Sequence, residues 1–449
     1  MNITTSRYYL HLLRFQHMYA PIVTMFLVGF MYFFHSLHGQ PLNIGPESYF
    51  HLSSFPQQGW ANYFPVGLLL ALIPATMLFL IPLVLSVGSI ILLVVLASRL
   101  KWDLETRFLF FLFVLLTPAF VYAASTISAA MIGLFFIVLG LVLLTYPKAK
   151  YLAALPFLIL PFIDLGTGIL ALLLLMVHMY HHQKEKWIIG MIGAMIVCLL
   201  INGLFVQEPF VTGPFHEQRI IADMVSDLGG HSGIGFTLLL LAVLGMGMAW
   251  RSPHYRWWYL VVLILIPMYM YNTQVILYLA VTLLLFASVG YKKLFSTIWN
   301  QKTLKLFTML VIILSICFSA VSYIQRMPAI GPSADDVAAL TWMKDNLPED
   351  KKVLALPQEG YYIYYFSEHV PLIEPHIQED TLLLTTLLNS SYIATTFPIL
   401  EQENVGAIYV TPAFKAAYPA DQGGLLFLLK NERFKLAYSS GEYEVWVFR

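Results

Sequence analysis

Long apolar runs recur from the first fifty residues to about residue 323, and they decide what this chain can fold into. They cover 17–36, 75–98, 107–123, 126–146, 151–163, 166–181, 187–206, 233–250, 257–271, 273–290 and 305–323. A helix needs about 20 apolar residues to cross a bilayer core, and fewer inside a bundle. About eleven membrane spans are therefore expected, the 151–163 run being short and broken by Pro156 and Pro161. Composition agrees: 59% of the 449 residues are hydrophobic and 11% charged, with a mean hydropathy of +0.73. A soluble domain carries about 25% charged residues. The formal net charge of +0 gives nucleic acid no reason to bind. The two cysteines, Cys198 and Cys317, lie inside apolar runs and define no disulfide or metal framework. The first run lacks a small-residue cleavage site, so it reads as a retained span and not a signal peptide.

Charge placement orients the bundle. With the N-terminus in the cytoplasm, the inner segments hold Arg7, Arg14, Arg99, Lys101, Arg107, Lys148, Lys150, Lys184, Lys186, Arg251, Arg256, Lys292, Lys293, Lys302 and Lys305. The outer membrane loops hold only Arg219. Cytoplasmic loops carry the excess of Lys and Arg. An odd span count then places everything after Ile324 outside the cell membrane.

The character of the chain changes there. Residues 1–324 read as a transmembrane domain and 325–449 as a small extracytoplasmic α/β domain, with Pro328, Gly331 and Pro332 as the linker. "ADDVAALTWMKDNLPED" reads as an amphipathic helix stopped by proline. "KVLAL", "VGAIYV", "FKLAYSS" and "YEVWVF" read as strands, being rich in β-branched and aromatic residues. "QGGLLFLLKNE" reads as a further short helix.

Ionisable residues kept in or near a membrane mark function. The outer face offers three places. Loop one, "PESYFHLSSF", holds Glu47 and, four residues on, His51. "PFIDLGTG" holds Asp164 at the outer end of a short span. The loop 207–232 holds Arg219, Asp223, Asp227 and His231. In that loop Ile220, Ile221, Met224, Val225 and Leu228 recur at helical spacing and Gly229–Gly230 follow as a stop. A surface helix is expected there, with Arg219, Asp223 and Asp227 along one face. The plain reading of that face is an ion pair worth about 0.2–0.5 kcal/mol. The functional reading makes Arg219 the fixed cation for an anionic headgroup. Glu47 likewise reads either as an ordinary loop carboxylate or as a base whose pKa is raised beside Tyr49, Phe50 and Phe55.

At this point the chain resembles the GT-C superfamily of membrane glycosyltransferases. "ESYFH" is close to the D-x-Y-Y-H pattern of the oligosaccharyltransferase branch. "LTPAFVYAAS" runs straight into another span, and "SDLGGHSGIGFTLLLLAVLG" precedes a late one. The ending, from "ALTWMKDNLPEDKKVLALPQEGYYIYYFSEHVPLIEP" to "YSSGEYEVWVFR", is laid out like the exported domains of the family. The chain departs from that branch twice. "PQEGYY" stands where W-W-D-Y-G is expected. The turn "ASTISAAM" carries none of the second acidic pair, so a metal site is not supported and no cofactor is expected.

The resemblance implies transfer of a sugar from a polyprenyl-phosphate-linked lipid to an acceptor at the outer face. Glu47 would be the base toward a hydroxyl on a glycan, lipid or protein acceptor. His51 or Arg219 would stabilise the departing phosphate. Asp164 would assist catalysis, and Asp223, Asp227 and His231 would contact substrate. The competing reading is a catalytically degenerate relative acting as an assembly partner in surface glycan synthesis. A transporter is disfavoured, because the acids lie at span ends instead of mid-membrane.

Overall fold

A computed structural model describes residues 14–49, 52, 77–181, 186–205, 220–230, 232–297, 299, 301–373, 387–388, 390, 392–418 and 424–448. His51, Arg219 and His231 lie outside the described residues. The chain divides into two compact units: Met1–Phe34 with Gln58–Met327, and His35–Gln57 with Pro328–Arg449. The division departs from a single boundary at 324, because the segment His35–Gln57 goes with the C-terminal residues.

The first unit is helical. Among the described residues four helices are long and apolar enough to cross a membrane: Gln16–Leu37, Leu80–Arg99, Thr273–Ser296 and Lys302–Arg326. The run 107–123, expected as one straight span, is instead two helices bent at a break. Leu104–Leu116 and Pro118–Ser125 meet at 63°. The cause is local: Thr117 takes an extended conformation (ψ 129°), the one favoured before proline, and Pro118 opens the next helix. Six further apolar helices are shorter, 10–17 residues each. Helices Phe236–Ala249 and Ile276–Ser296 pack with their backbones in contact. A methyl group on Gly290 would sit 2.5 Å from the Leu241 carbonyl oxygen, and one on Gly245 would collide with that of Phe286. Small residues at such crossings let helices approach closely in a membrane.

The second unit is built on a four-stranded sheet of order β1-β2-β4-β3: β1 (Lys352–Leu354), β2 (Val405–Val410), β3 (Phe434–Ser440) and β4 (Tyr443–Phe448). β1 and β2 are parallel, and the other pairs antiparallel. All four expected strands are present. The helix Ala334–Asn346 starts where Ser333 accepts a hydrogen bond from the Asp336 backbone N–H at 3.1 Å. It ends just before Leu347-Pro348. β2 is buried on both faces. Ile408 and Val410 join one core with Leu354, Phe414 and Phe434, while Ala407 and Tyr409 join another with Leu340, Met343 and Tyr49. Tyr49, from loop one, is fully buried in that second core.

Candidate functional site

Glu47 belongs to the second unit. Gly45, at φ +77°, and Pro46 open a short helical turn over residues 45–49. Ser48 closes it by donating its hydroxyl to the Ile44 carbonyl at 2.6 Å. Glu47 is half-buried, and among the described residues it has no hydrogen-bonding or ion-pairing partner. Burial pushes its carboxyl up from the ordinary range to about 7. A carboxylate so placed accepts a proton near neutral pH, which is what a general base requires.

The other acids of the sequence reading lie in the first unit and are differently employed. Asp164 caps the helix Leu165–His181: one carboxylate oxygen accepts from the Thr167 N–H at 2.7 Å and its hydroxyl at 2.9 Å. Its other oxygen accepts from Asn272 Nδ2 at 3.1 Å. The Thr167 hydroxyl also lies 2.8 Å from that of Tyr278, which donates to the Ala130 carbonyl at 3.0 Å. The network joins three helices. The D-x-x-T spacing of Asp164 and Thr167 is an N-cap signature and could have been read as one. Tyr278 and Asn272, more than a hundred residues on, gave no local signal.

The expected surface helix over 219–228 is much shorter. It runs Ile220–Met224, after which Val225 forms a β-bridge with Ile234. Ser226 N–H donates to the Ile234 carbonyl at 3.2 Å, and Ile234 N–H to that of Met224 at 2.8 Å. Val225 and Ile234 are buried β-branched residues, and burying them as a pair prevails over continuing the helix. Gly230 and Gly233 make the fold-back feasible, since a Cβ on either would strike the backbone of residues 222–226. Asp223 stays half-buried in the short helix, but Asp227 lies in the following 3₁₀ turn. The shared face of Asp223 and Asp227 is therefore lost. Asp227 accepts from the Phe236 N–H, capping the next helix, and from Ser319 Oγ, both at 2.6 Å. Arg326, at the end of helix Lys302–Arg326, donates Nη2 to the Ser226 carbonyl at 2.9 Å. A guanidinium thus stands against the 226–235 segment. Among the described residues no three His, Cys, Asp or Glu side chains are grouped to hold a metal ion.

The fold has known counterparts among solved structures. The Archaeoglobus fulgidus oligosaccharyltransferase, solved with a tethered acceptor peptide containing an NVT sequon, matches with a TM-score of 0.52 and 11% identity, over 97% of this chain and 74% of that one. The same enzyme in complex with zinc and sulfate matches at 0.52 and 12% identity, over 92% and 71%. ArnT from Cupriavidus metallidurans, bound to undecaprenyl phosphate, matches at 0.51 and 12% identity, over 99% of this chain and 98% of that one. No protein-family model matches the sequence, and no curated protein matches it. The chain thus shares its fold with these solved proteins, over 99% of its own length and 98% of the other chain in the case of ArnT.

Proposed function

We propose that the protein is an integral-membrane glycosyltransferase that moves a sugar from a polyprenyl-phosphate-linked donor to an acceptor hydroxyl at the outer face of the membrane. The observation that carries this reading is Glu47, a half-buried carboxylate with a raised pKa in the loop after the first span. It takes the proton of the acceptor hydroxyl as that oxygen attacks the anomeric carbon. The leaving polyprenyl phosphate is a weak base and needs no strong acid. Full-length likeness to a protein solved with undecaprenyl phosphate supports a lipid-phosphate substrate. In this reading the chain crosses the membrane about eleven times, with the N-terminus inside and residues after 324 outside; the four long helices, the bent pair and the six shorter apolar helices are the segments that would supply those crossings.

The departing phosphate, partly desolvated, needs a cation or hydrogen-bond donors. Arg219 is the proposed ligand from the outer loops, and Arg326 is its rival. Charge-assisted hydrogen bonds are worth about 1.5–3 kcal/mol. Arg219→Ala should therefore weaken binding of undecaprenyl phosphate by about one to two decades. A loss confined to Arg326→Ala moves the phosphate to the 226–235 segment, and no loss in either removes the anion site.

One observation favours the degenerate-partner reading. Where a second acidic pair would stand, Ser128 caps the helix Ala129–Leu144 and Thr126 donates to the Tyr122 carbonyl. Transfer from labelled undecaprenyl- and dolichyl-phosphate sugars by the purified protein decides between the two. Binding of undecaprenyl phosphate without transfer of any sugar would establish the partner. Orientation is tested on a cysteine-free background: a cysteine at exposed Lys435 should react with an impermeant thiol reagent in intact cells, and one at exposed Lys148 should not.

A further inference from the structure

Glu47 sits on a turn that is gripped from its other side. Successive helical residues are about 100° apart, so Glu47 and Tyr49, two apart, point in nearly opposite directions. The Tyr49 ring is enclosed by three rings from one segment. Its centroid lies 5.2 Å from Tyr362, 5.1 Å from Tyr365 and 5.2 Å from Phe366, the first two edge-on. Its hydroxyl donates to the Asn43 carbonyl at 3.0 Å, tying the ring back to the start of its own loop. Aromatic pairs of this geometry contribute beyond their buried area.

The clamping segment is itself unusual. Gly360–Tyr362 is one short α-turn, and Ile363–Ser367 continues it as a π-helix. Isolated π-turns are rare and occur frequently at functional sites. Here the π-turn is closed by Ser367 Oγ donating to the Ile363 carbonyl at 2.7 Å, and it ends at Glu368 in the left-handed region (φ +59°). A non-glycine residue there is strained. The Glu368 carboxylate is paired with Lys344 at 2.5 Å, on the helix that flanks the same core. Widening the turn brings Tyr362, Tyr365 and Phe366 to one ring together.

We infer that Tyr49 is a positioning residue for Glu47, and that the π-helical segment of the C-terminal domain, through Tyr362, Tyr365 and Phe366, fixes the turn that carries the carboxylate. The inference rests on the reading of Glu47 as the base, but its test does not use turnover. A hydrophobic carbodiimide, dicyclohexylcarbodiimide, modifies carboxyl groups while they are protonated. Its labelling of Glu47 as a function of pH, read by peptide mass spectrometry on the full-length protein, reports the midpoint of that group.

The wild-type midpoint should fall near 7. Tyr49→Leu and Phe366→Ala free the turn, admit water to Glu47 and should lower the midpoint by about one pH unit or more. Tyr49→Phe keeps the ring contacts and should hold it. Phe414→Leu, in the core on the other face of the sheet, should lower the melting temperature without moving the midpoint. A midpoint unmoved in folded Tyr49→Leu and Phe366→Ala, or moved as far by Phe414→Leu, would overturn the inference. If Glu47→Gln transfers sugar at the wild-type rate while Tyr49→Leu shifts the midpoint, the base assignment fails and the clamp stands.

Discussion

The capping acids of the helical unit and Glu47 of the second unit are employed in opposite ways. In the helical unit Asp103, Asp164 and Asp227 each accept a backbone N–H at the start of a helix, from Thr106, Thr167 and Phe236. There the carboxylate satisfies orphan donors and meets the positive end of the helix dipole. In the second unit Asp336 and Glu359 are buried against the hydroxyls of Tyr409 and Thr411, and Glu47 has no described partner. An acid that caps a helix is architecture and has little freedom to take a proton. Glu47, with its carboxyl pushed up by burial, is the acid proposed to take a proton from a substrate.

The largest expected effect tests that contrast directly. Glu47→Gln should leave the melting temperature close to wild type and slow sugar transfer by about 10²–10⁴-fold. A wild-type rate in the variant would place the base elsewhere. Asp164→Ala should do the reverse. It removes a cap worth about 0.5–2 kcal/mol. It also leaves the Thr167 N–H and the Asn272 amide unpaired, at about 1–3 kcal/mol each. Thermal unfolding in detergent should show a loss of several kcal/mol. A variant that melts like wild type but has lost transfer would return Asp164 to the catalytic group.

The buried pair of the second unit gives a pH signature. Burial pushes Asp336 up to about 6 and Glu359 up to about 8. A carboxyl that holds its proton more tightly in the folded state contributes stability that is whole below its unfolded pKa. That stability is lost as pH rises toward the folded value. The second unit should therefore lose stability from about pH 4 to pH 8, with Glu359 responsible for the upper part. Melting curves from pH 5 to pH 9 check this, and Glu359→Gln should flatten the slope above pH 6. A slope of opposite sign would mean that both acids are ionised in the fold. The smallest effect belongs to Asp103. Its carboxylate caps an exposed helix start and pairs with Lys292, so Asp103→Ala should cost about 1 kcal/mol of stability.

Much of this was legible from residue patterns acting over short range. The apolar runs, the four strands and the helix stopped before Pro348 are local signals, and each is present. So is the stop at Gly229, whose φ of +100° favours glycine. What was not legible depends on partners far away in sequence. Nothing near Val225 announces Ile234 as its bridge partner, so the helix read over 219–228 was too long by half. Thr117-Pro118 did announce a break, but inside an apolar run the length criterion hid it. Glu47 was found from an apolar neighbourhood and a motif. Tyr49 was noted only as a neighbour, because the rings that enclose it lie more than three hundred residues downstream.

That separation sets a timetable. Loop one is made early, yet Gln40 hydrogen-bonds the carbonyl of Pro328, 288 residues later. The core around Tyr49 also needs β4, at the very end of the chain. At about 5–20 residues per second, a ribosome takes roughly 20–80 seconds to go from Tyr49 to β4. Throughout that interval Ile44 and Tyr49, both fully buried in the finished protein, have no core to enter. The segment that carries the proposed base must wait, apolar and unpaired, for the last strand to arrive. Truncation near the C-terminus should therefore disorder a loop near the N-terminus.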